Sequence, residues 1–528
     1  MGVFKDKGVV YKPVDEVDLG PDSDEFYRTA NVKAPRMAGF LVKLFSWFLE
    51  SPIFGGLLLY FLKRNNLIHK LVSFAEIQEA PLFVPCHPYQ EMEEKEVKCL
   101  ELDMSPPEKV EEAVDCLEDI PIPQSFKRWT ILDYARAYTS RQTTPKTVAQ
   151  RLIACVRESS TQHLQMSFFI NFYEQDILKQ ATESTLRYQR GEPISVLDGV
   201  PIAIKDEIDC MPYPTTAVVA AGLCPVSLGV DGGGSVRLPA ALCGVVGFKP
   251  TFERVPHEGV LPVNYTIGMV GILAATVEDA LIAYAAIAGD LKLPKVDLPL
   301  LKSANYAFSD IKMARYGKWF DDCTDDIRVC CSNAVSRLSD KYRWTTVEVT
   351  VPEIEVMRLS HYVTIGSECS NTVSGYLESS NKAELGWDVR VGLAVYGSFH
   401  SHEYLNAQKM RYRQLRFHQK IFSIADVIVT PTVGVTAYTI KDDALETGEL
   451  DYINGAALVR YQIAGNFLGL PAVTVPVGYD KSGLPIGLQF IGKPWSESLL
   501  IYIASAVQAI YISGYKQPEV FYDMLAKE

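Results

Sequence analysis

The pattern of hydrophobic and polar positions changes along the chain, and the changes predict where its helices and strands lie. After a polar start, apolar residues crowd together over 37–62, interrupted by Lys43, Glu50 and Pro52. A helix that spans a bilayer needs about 20 predominantly apolar residues in a row. The segment therefore predicts two short amphipathic helices, with a break at Ser51-Pro52.

Two helices of this kind fit a membrane interface, where aromatic residues and the basic end at Lys63-Arg64 would meet lipid headgroups. They fit equally a helical hairpin that packs on the protein's own core or on a second copy of the chain. Because the sequence does not distinguish lipid from protein as the apolar partner, both interpretations stand at this point.

Residues 88–120 are acidic and predict a solvated linker or edge, after which the pattern becomes regular. Thr144 followed by Pro145 predicts a helix start, because threonine caps helix N-termini and proline suits the first helical position. Thr276 predicts another helix start. Short buried strands are predicted where apolar residues run together, near 202–204, 245–248, 269–273, 424–432, 473–475 and 486–490.

The composition excludes several classes of protein. The chain has 528 residues, 48% of them hydrophobic, and a formal net charge of −13, which argues against a nucleic-acid binder. Its 11 cysteines show no CxxC or Cys/His ligand spacing, so they indicate reduced thiols and predict neither a disulfide framework nor a metal site. The first residues lack the apolar core of a signal peptide, and we therefore expect an intracellular protein.

The stretch with the most chemical content is the glycine-rich run 230–239. Three glycines, Gly232 to Gly234, lead into Ser235 and then into an apolar, alanine-containing segment. Glycine lets a ligand approach main-chain N–H groups, which can stabilise an oxyanion beside a serine nucleophile. The alternative is a glycine-rich turn that ends in a serine helix cap. The run has no GxGxxG or Walker pattern, so we expect no nucleotide and no other cofactor.

Four stretches together resemble the amidase signature family: LDGVPIAIKDEID at 197–209, GVDGGGSVRLPAALCGVVGFKPT at 229–251, ADVIVTPT at 425–432, and NFLGLPAVTVPVGY with GLPIGLQFIG within 466–492. The resemblance covers roughly residues 128–528, which we interpret as one domain behind an N-terminal extension, 1–127. Within the family, the extension and residues 210–275 most resemble the branch of plant fatty acid amide hydrolases. The resemblance implies an α/β fold with a large mixed β-sheet covered by helices, and amide hydrolysis as the reaction.

The family uses a Ser–Ser–Lys triad, and two of its members have matches here. By resemblance, Ser235 matches the nucleophile and Lys205 the base, while Asp231 and Arg237 match supporting positions. The oxyanion hole of the family matches the backbone N–H groups of Gly232, Gly233, Gly234 and Ser235. A lysine accepts a proton only when it is neutral, so we expect burial to lower the pKa of Lys205 towards neutrality.

The second serine of the triad, the cis-serine that relays the proton, has no match in this sequence. Lys205 and Ser235 are 30 positions apart, and at about Thr216 the chain lacks a stretch that family members have. Thr215 and Thr216 precede this gap and Ser227 lies in a different element, so no cis-serine is assigned. We expect the fold to lack a strand–helix portion, as in a splice variant or an incomplete gene model.

Three functions remain open from the sequence. The first is a serine amidase that hydrolyses lipid amides such as N-acylethanolamines. We expect it to be peripheral or monotopic on the endoplasmic reticulum or plasma membrane, through residues 37–62. The second is a catalytically impaired, truncated amidase-like protein, and the third is an amidase of small non-lipid amides. A homodimer is an expectation from the resemblance alone.

Overall fold

One mixed β-sheet forms the centre of the fold. The computed structural model describes residues 7–30, 32–87, 104–117, 128–161, 164, 166, 168–170, 172–208, 217–289, 310–377 and 384–526. In these ranges the strands are β1 (Met37–Ala38), β2 (Ile202–Ile204), β3 (Val226–Asp231), β4 (Val246–Lys249), β5 (Met269–Ala274), β6 (Lys312–Arg315), β7 (Thr345–Glu348), β8 (Val427–Pro431), β9 (Glu449–Leu450), β10 (Ala472–Tyr479) and β11 (Pro485–Gly492). Nine of them join in the order β2-β3-β5-β4-β10-β11-β8-β6-β7, and β1 pairs with β9 separately.

Helices flank this sheet. In chain order they are α1 (Phe40–Glu50), α2 (Gly55–Asn65), α3 (Pro106–Asp115), α4 (Ile131–Thr139), α5 (Pro145–Ser159), α6 (Glu174–Arg190), α7 (Ala217–Ala220), α8 (Arg237–Cys243), α9 (Val277–Ile287), α10 (Gly317–Phe320), α11 (Asp325–Tyr342), α12 (Ile354–Leu377), α13 (Trp387–Tyr396), α14 (Ser401–Phe422), α15 (Ala444–Thr447), α16 (Tyr452–Val459), α17 (Ile463–Phe467) and α18 (Glu497–Tyr511).

The sheet combines parallel and antiparallel pairs. β2 runs parallel to β3 and β6 runs parallel to both β7 and β8, whereas the central pairs from β3 to β8 are antiparallel. Strands that are covered on both faces have nearly continuous apolar sequences. β5 and β8 are of this kind, since every one of their residues is buried. The large mixed sheet expected from the resemblance is therefore confirmed.

Several local predictions are also confirmed. The segment 37–62 forms the two helices α1 and α2, whose axes differ by 108° across the break. Thr144 caps α5 by accepting a hydrogen bond from the N–H of Thr147 at 3.1 Å. Thr276 caps α9 in the same way.

The predicted linker is wrong over residues 106–115, which form α3. The N–H of Ser105 donates to Glu108 at 2.6 Å in a capping box, and Pro106 occupies the first turn. Val110 and Ala113 are buried in the core, so the acidic residues of this segment occupy only the outer face of a helix. The remaining parts of the predicted linker, 88–103 and 118–120, lie outside the described residues.

Lys249 ends β4 inside the protein and is 1% exposed. Its Nζ donates a hydrogen bond to the carbonyl oxygen of Pro250 at 2.9 Å. Burial, followed by the nearby charge of Arg237, lowers the pKa of Lys249 to about 7, although Asp231 and Glu497 act in the opposite direction. The fold therefore contains a lysine whose charge is unfavourable in the native state.

We expect Lys249→Met to stabilise the protein at pH 7 by about 1 to 4 kcal/mol, because a buried charge is replaced by an apolar chain of similar length. Between the ordinary lysine pKa of 10.5 and the native value of about 7, the unfolded chain binds a proton that the folded chain does not. Stability of the unmodified protein should therefore fall as the pH falls through this window, then level off below pH 7.

Urea denaturation from pH 7 to 10 measures this effect, and Lys249→Met should flatten the profile. The control is Lys481→Met, whose side chain is 86% exposed, and this variant should keep the pH dependence of the unmodified protein. Equal profiles for the two variants would show that Lys249 is not the group responsible.

Candidate active site

The candidate catalytic residues lie near the carboxyl ends of two neighbouring strands. β2 and β3 are parallel, so their carboxyl ends point the same way, and the N–H of Lys205 donates to Leu228 O at 2.9 Å. Lys205 follows β2, whereas Asp231 ends β3 and is followed by the loop 232–236 and then α8. The structure thus brings the predicted lysine beside the base of the glycine-rich loop.

A buried ion pair holds this loop. Asp231 and Arg237 both have fully buried side chains, and the Arg237 Nε and Nη2 atoms each donate to Asp231 at 3.0 Å. Arg237 also donates to Gln489 at 2.8 Å and to Asn466 at 2.7 Å. The supporting positions predicted from the resemblance therefore form one hydrogen-bonded network under the loop.

The charge on Asp231 is well stabilised. Burial alone would raise the pKa of this carboxyl, but Arg237, through its charge and its hydrogen bonds, holds the pKa well below its usual range. The N–H of Gly234 donates to the same carboxylate at 2.8 Å. Asp231 is therefore an anion that fixes both the guanidinium and the glycine-rich backbone.

Gly234 occupies a conformation that favours glycine. Its φ is +105°, and a Cβ at this position would lie only 2.5 Å from the Cγ of Gln462. The carbonyl oxygen of Gly234 then accepts the hydrogen bond from Leu238 N–H at 2.8 Å that begins α8. The glycine thus makes the sharp turn from strand to helix that places Ser235 at the surface.

The loop presents a hydroxyl group together with backbone donors. Ser235 is exposed. Within the part of the chain that the structure describes, neither its hydroxyl nor the N–H groups of Gly232, Gly233 and Ser235 form a hydrogen bond. Of the four N–H groups predicted for an oxyanion hole, that of Gly234 donates to Asp231, and the other three have no acceptor among the described residues. The arrangement has the elements of a nucleophile with free oxyanion donors.

Lys205 differs from the expectation that it would be buried. Its side chain is 37% exposed, and its Nζ forms an ion pair with Glu207 at 2.7 Å. Its aliphatic stem passes Gly229, and Nζ lies 3.5 Å from the carbonyl oxygen of Val230. Because β2 is the edge strand of the described sheet, no described strand covers Lys205 on its outer side. A direct contact between Lys205 and Ser235 does not occur among the described hydrogen bonds.

His361 supports the loop, and sequence reasoning missed it. From α12, its Nε2 donates to Gly232 O at 2.8 Å. Burial lowers the pKa of His361 to about 4, so the imidazole is neutral near pH 7 and carries its proton on the nitrogen that faces the carbonyl. No motif in residues 300–425 signals this histidine. Asn466 and Gln489, by contrast, lie within stretches already quoted for the resemblance.

The structure offers no replacement for the cis-serine among the residues considered. Ser227 lies within β3 and is 1% exposed, so it stands in a buried strand below the loop. Thr215 and Thr216 lie outside the described residues. The described part of the chain also contains no group of three or more His, Cys, Asp and Glu side chains that could hold a metal ion.

Comparison with known proteins agrees with this architecture. A family model described as Amidase matches residues 215–501, which is more than half of the chain. The fatty acid amide hydrolase of Oryza sativa subsp. indica is 37% identical over 603 aligned positions, which cover 97% of this chain and 98% of the relative. The fatty acid amide hydrolase of Arabidopsis thaliana is 36% identical and covers 98% and 99%.

The rice relative is longer than this chain over the aligned region. The alignment has 603 positions against 528 residues in this chain, so the relative has at least 75 residues without a counterpart here. The family match begins at residue 215, after Lys205. A solved structure described as an amidase, 19% identical, superimposes with a TM-score of 0.61 over 72% of this chain and all of its own, which shows the shared fold. The chain belongs to the amidase signature family of amide hydrolases.

Proposed function

We propose that this protein hydrolyses amides of long-chain fatty acids, N-acylethanolamines among them, to a fatty acid and an amine. The observation that carries the proposal is the exposed Ser235 hydroxyl just before α8, beside backbone N–H groups without an acceptor among the described residues and near the carboxyl end of β2, which Lys205 follows. The fatty acyl class is supported by the plant fatty acid amide hydrolases that align over nearly the whole chain.

In the proposed reaction, Ser235 Oγ attacks the amide carbonyl carbon and its proton passes to the neutral amine of Lys205. The carbonyl oxygen becomes an oxyanion that accepts hydrogen bonds from the N–H groups of Gly232, Gly233 and Ser235. Each such donor lowers the barrier by on the order of 3 kcal/mol. The C–N bond then breaks, the amine leaves with the proton, and water hydrolyses the acyl ester.

Two features of Lys205 oppose this reaction. The Lys205 amine forms an ion pair with Glu207, so it must leave this carboxylate before it can accept the proton of Ser235. Among the described residues, no serine forms a hydrogen bond with Lys205 or Ser235 that could relay the proton. These observations favour a second candidate, an amidase-like protein that retains the fold and the nucleophile loop but turns over slowly or not at all.

A fluorophosphonate probe distinguishes the two candidates, because it labels a serine that is activated as a nucleophile. We expect the purified full chain to be labelled at Ser235 and to release fatty acid from an N-acylethanolamine. Ser235→Ala should abolish both signals, and Lys205→Met should slow labelling by about 10²-fold or more. A folded chain that remains unlabelled would exclude the active hydrolase and leave the impaired protein.

Glu207→Gln tests whether the ion pair restrains Lys205. Removal of a partly exposed ion pair worth up to about 1 kcal/mol should increase the labelling rate a few-fold at neutral pH. Asp206→Asn, a neighbouring exposed carboxylate, serves as the matched control and should leave the rate unchanged. Slower labelling of Glu207→Gln would instead assign the carboxylate a supporting role.

We also propose that α1 and α2 bring the protein to a membrane surface. One side of the pair packs on the protein itself, because Val42 and Leu49 are buried in a cluster with Val391 and Leu450. The other side leaves large apolar side chains in solvent, namely Phe40, Leu41, Trp47, Phe48, Ile53, Phe54, Leu57 and Phe61. An apolar surface of this extent is typical of an interfacial helix pair.

The lengths of the apolar helices are consistent with a surface location. Within the described ranges, the helical stretch Glu497–Gly514 is long and apolar enough to cross a bilayer, and half of it is buried in the protein. α1 and α2 are long and apolar enough to cross a bilayer only if they are counted as one span, across the bend of 108°. A pair bent this sharply does not run straight through a bilayer, and it can lie along the surface.

Vesicle flotation tests the proposed membrane surface. In Phe54→Glu/Leu57→Glu, two residues that are 54% and 60% exposed acquire charge, and we expect flotation with phosphatidylcholine–phosphatidylserine vesicles to fall at least about tenfold. The control is Val329→Glu/Ile424→Glu, which changes residues of similar exposure, 54% and 51%, elsewhere on the protein. Equal flotation of the two double variants would contradict the proposal.

A further inference from the structure

β2 leaves one side of the described sheet open. It pairs only with β3, and the bond from Lys205 N–H to Leu228 O shows that Ala203 and Lys205 direct their backbone groups towards that partner. Because backbone groups alternate along a strand, Ile202 and Ile204 direct theirs to the open edge. Among the described residues, the N–H groups of Ile202 and Ile204 have no hydrogen-bond partner.

A cavity of about 340 Å³ lies beside this edge, between β2, α5 and α6. Its walls are mainly apolar and include Val148, Leu152, Ile153, Val156, Phe172 and Ile177. Arg187 and Asp198 form an ion pair of 2.6 Å at its polar side. The volume is in the range of sites that bind another molecule, and the cavity adjoins backbone donors that have no partner among the described residues.

The chemistry of the site points to a peptide. An acyl chain would fill the apolar cavity but would leave the N–H and C=O groups of Ile202 and Ile204 without partners. An extended peptide satisfies both requirements, because its backbone pairs with the strand edge while alternate side chains enter the cavity. The exposed side chain of Ile202, 38% accessible, also offers an apolar contact to such a strand.

A longer member of the same family is the candidate source of such a peptide. The relatives contain residues that this chain lacks, and the match to the family model begins shortly after β2 ends. We propose that the open edge of β2 and the adjoining cavity are a strand-acceptor site. It binds an extended, mainly apolar segment from a longer member of the same family, by β-augmentation. This inference does not depend on the catalytic competence of Ser235.

Peptide binding to the purified full chain tests the proposal. Overlapping synthetic peptides would cover the residues of the rice relative that have no counterpart here, with a scrambled peptide of each composition as control. We expect one peptide to bind and to slow hydrogen exchange at the N–H groups of Ile202 and Ile204, while exchange at Ala203, which faces β3, changes little. This readout needs no substitution and therefore does not depend on the folding of a variant.

Two matched variants on α6 test the cavity. Ile177→Glu places a charge in its wall, and we expect peptide affinity to fall about tenfold or more. Leu186→Glu changes an exposed residue outside the cavity and should keep the affinity of the unmodified chain. The proposal is overturned if no peptide binds, if scrambled peptides bind equally, or if protection appears away from β2. Binding of a free long-chain fatty acid alone, sensitive to Ile177→Glu, would also overturn it and identify a lipid pocket.

Discussion

The buried ion pair between Asp231 and Arg237 is the interaction on which the candidate site depends. An ion pair that is buried away from water is stable only when both groups are fully hydrogen-bonded. Here the additional partners come from the loop itself, α17 and β11. Removing either partner would leave a bare charge in the core, at a cost of about 3 to 5 kcal/mol. The loop that carries Ser235 is therefore fixed by the interior of the protein.

The contacts that hold the nucleophile loop are separate from those of Lys205. The supports of the nucleophile loop, Asn466, Gln489 and His361, all lie C-terminal to the loop, on α17, β11 and α12. Lys205, in contrast, follows the edge strand β2 and contacts solvent and Glu207. The two halves of the proposed mechanism thus rest on separate parts of the structure.

Much of this architecture is predictable from the sequence. Threonine caps at 144 and 276, the break near Pro52 and the buried strands follow from local preferences that the tertiary structure does not oppose. The prediction of a linker where α3 forms was wrong. The acidic residues of this segment lie on the outer face of the helix, and within α3 only Val110 and Ala113 are buried on its inner face. Acidic composition describes exposure to solvent, and it does not exclude a helix with one buried side.

Sequence reasoning located the loop but not all the contacts that determine its chemistry. The expected burial of Lys205 failed because burial depends on which elements lie across the sheet edge, a non-local property. His361 was missed for the same reason, since its role comes from α12 packing against residue 232, which is 129 positions away in the chain. Residues whose function depends on such packing carry no periodic or motif signal of their own.

The shortness of β2 has a consequence for the behaviour of the protein in concentrated solution. An exposed strand edge is ordinarily a template for aggregation, and proteins limit the risk by keeping edge strands short. β2 has three residues, and only the backbone N–H and C=O groups of Ile202 and Ile204 point to the open side of the described sheet. Two residues supply too few hydrogen bonds to propagate a stacked array of identical chains, so the free edge of the sheet is compatible with a protein that remains dispersed.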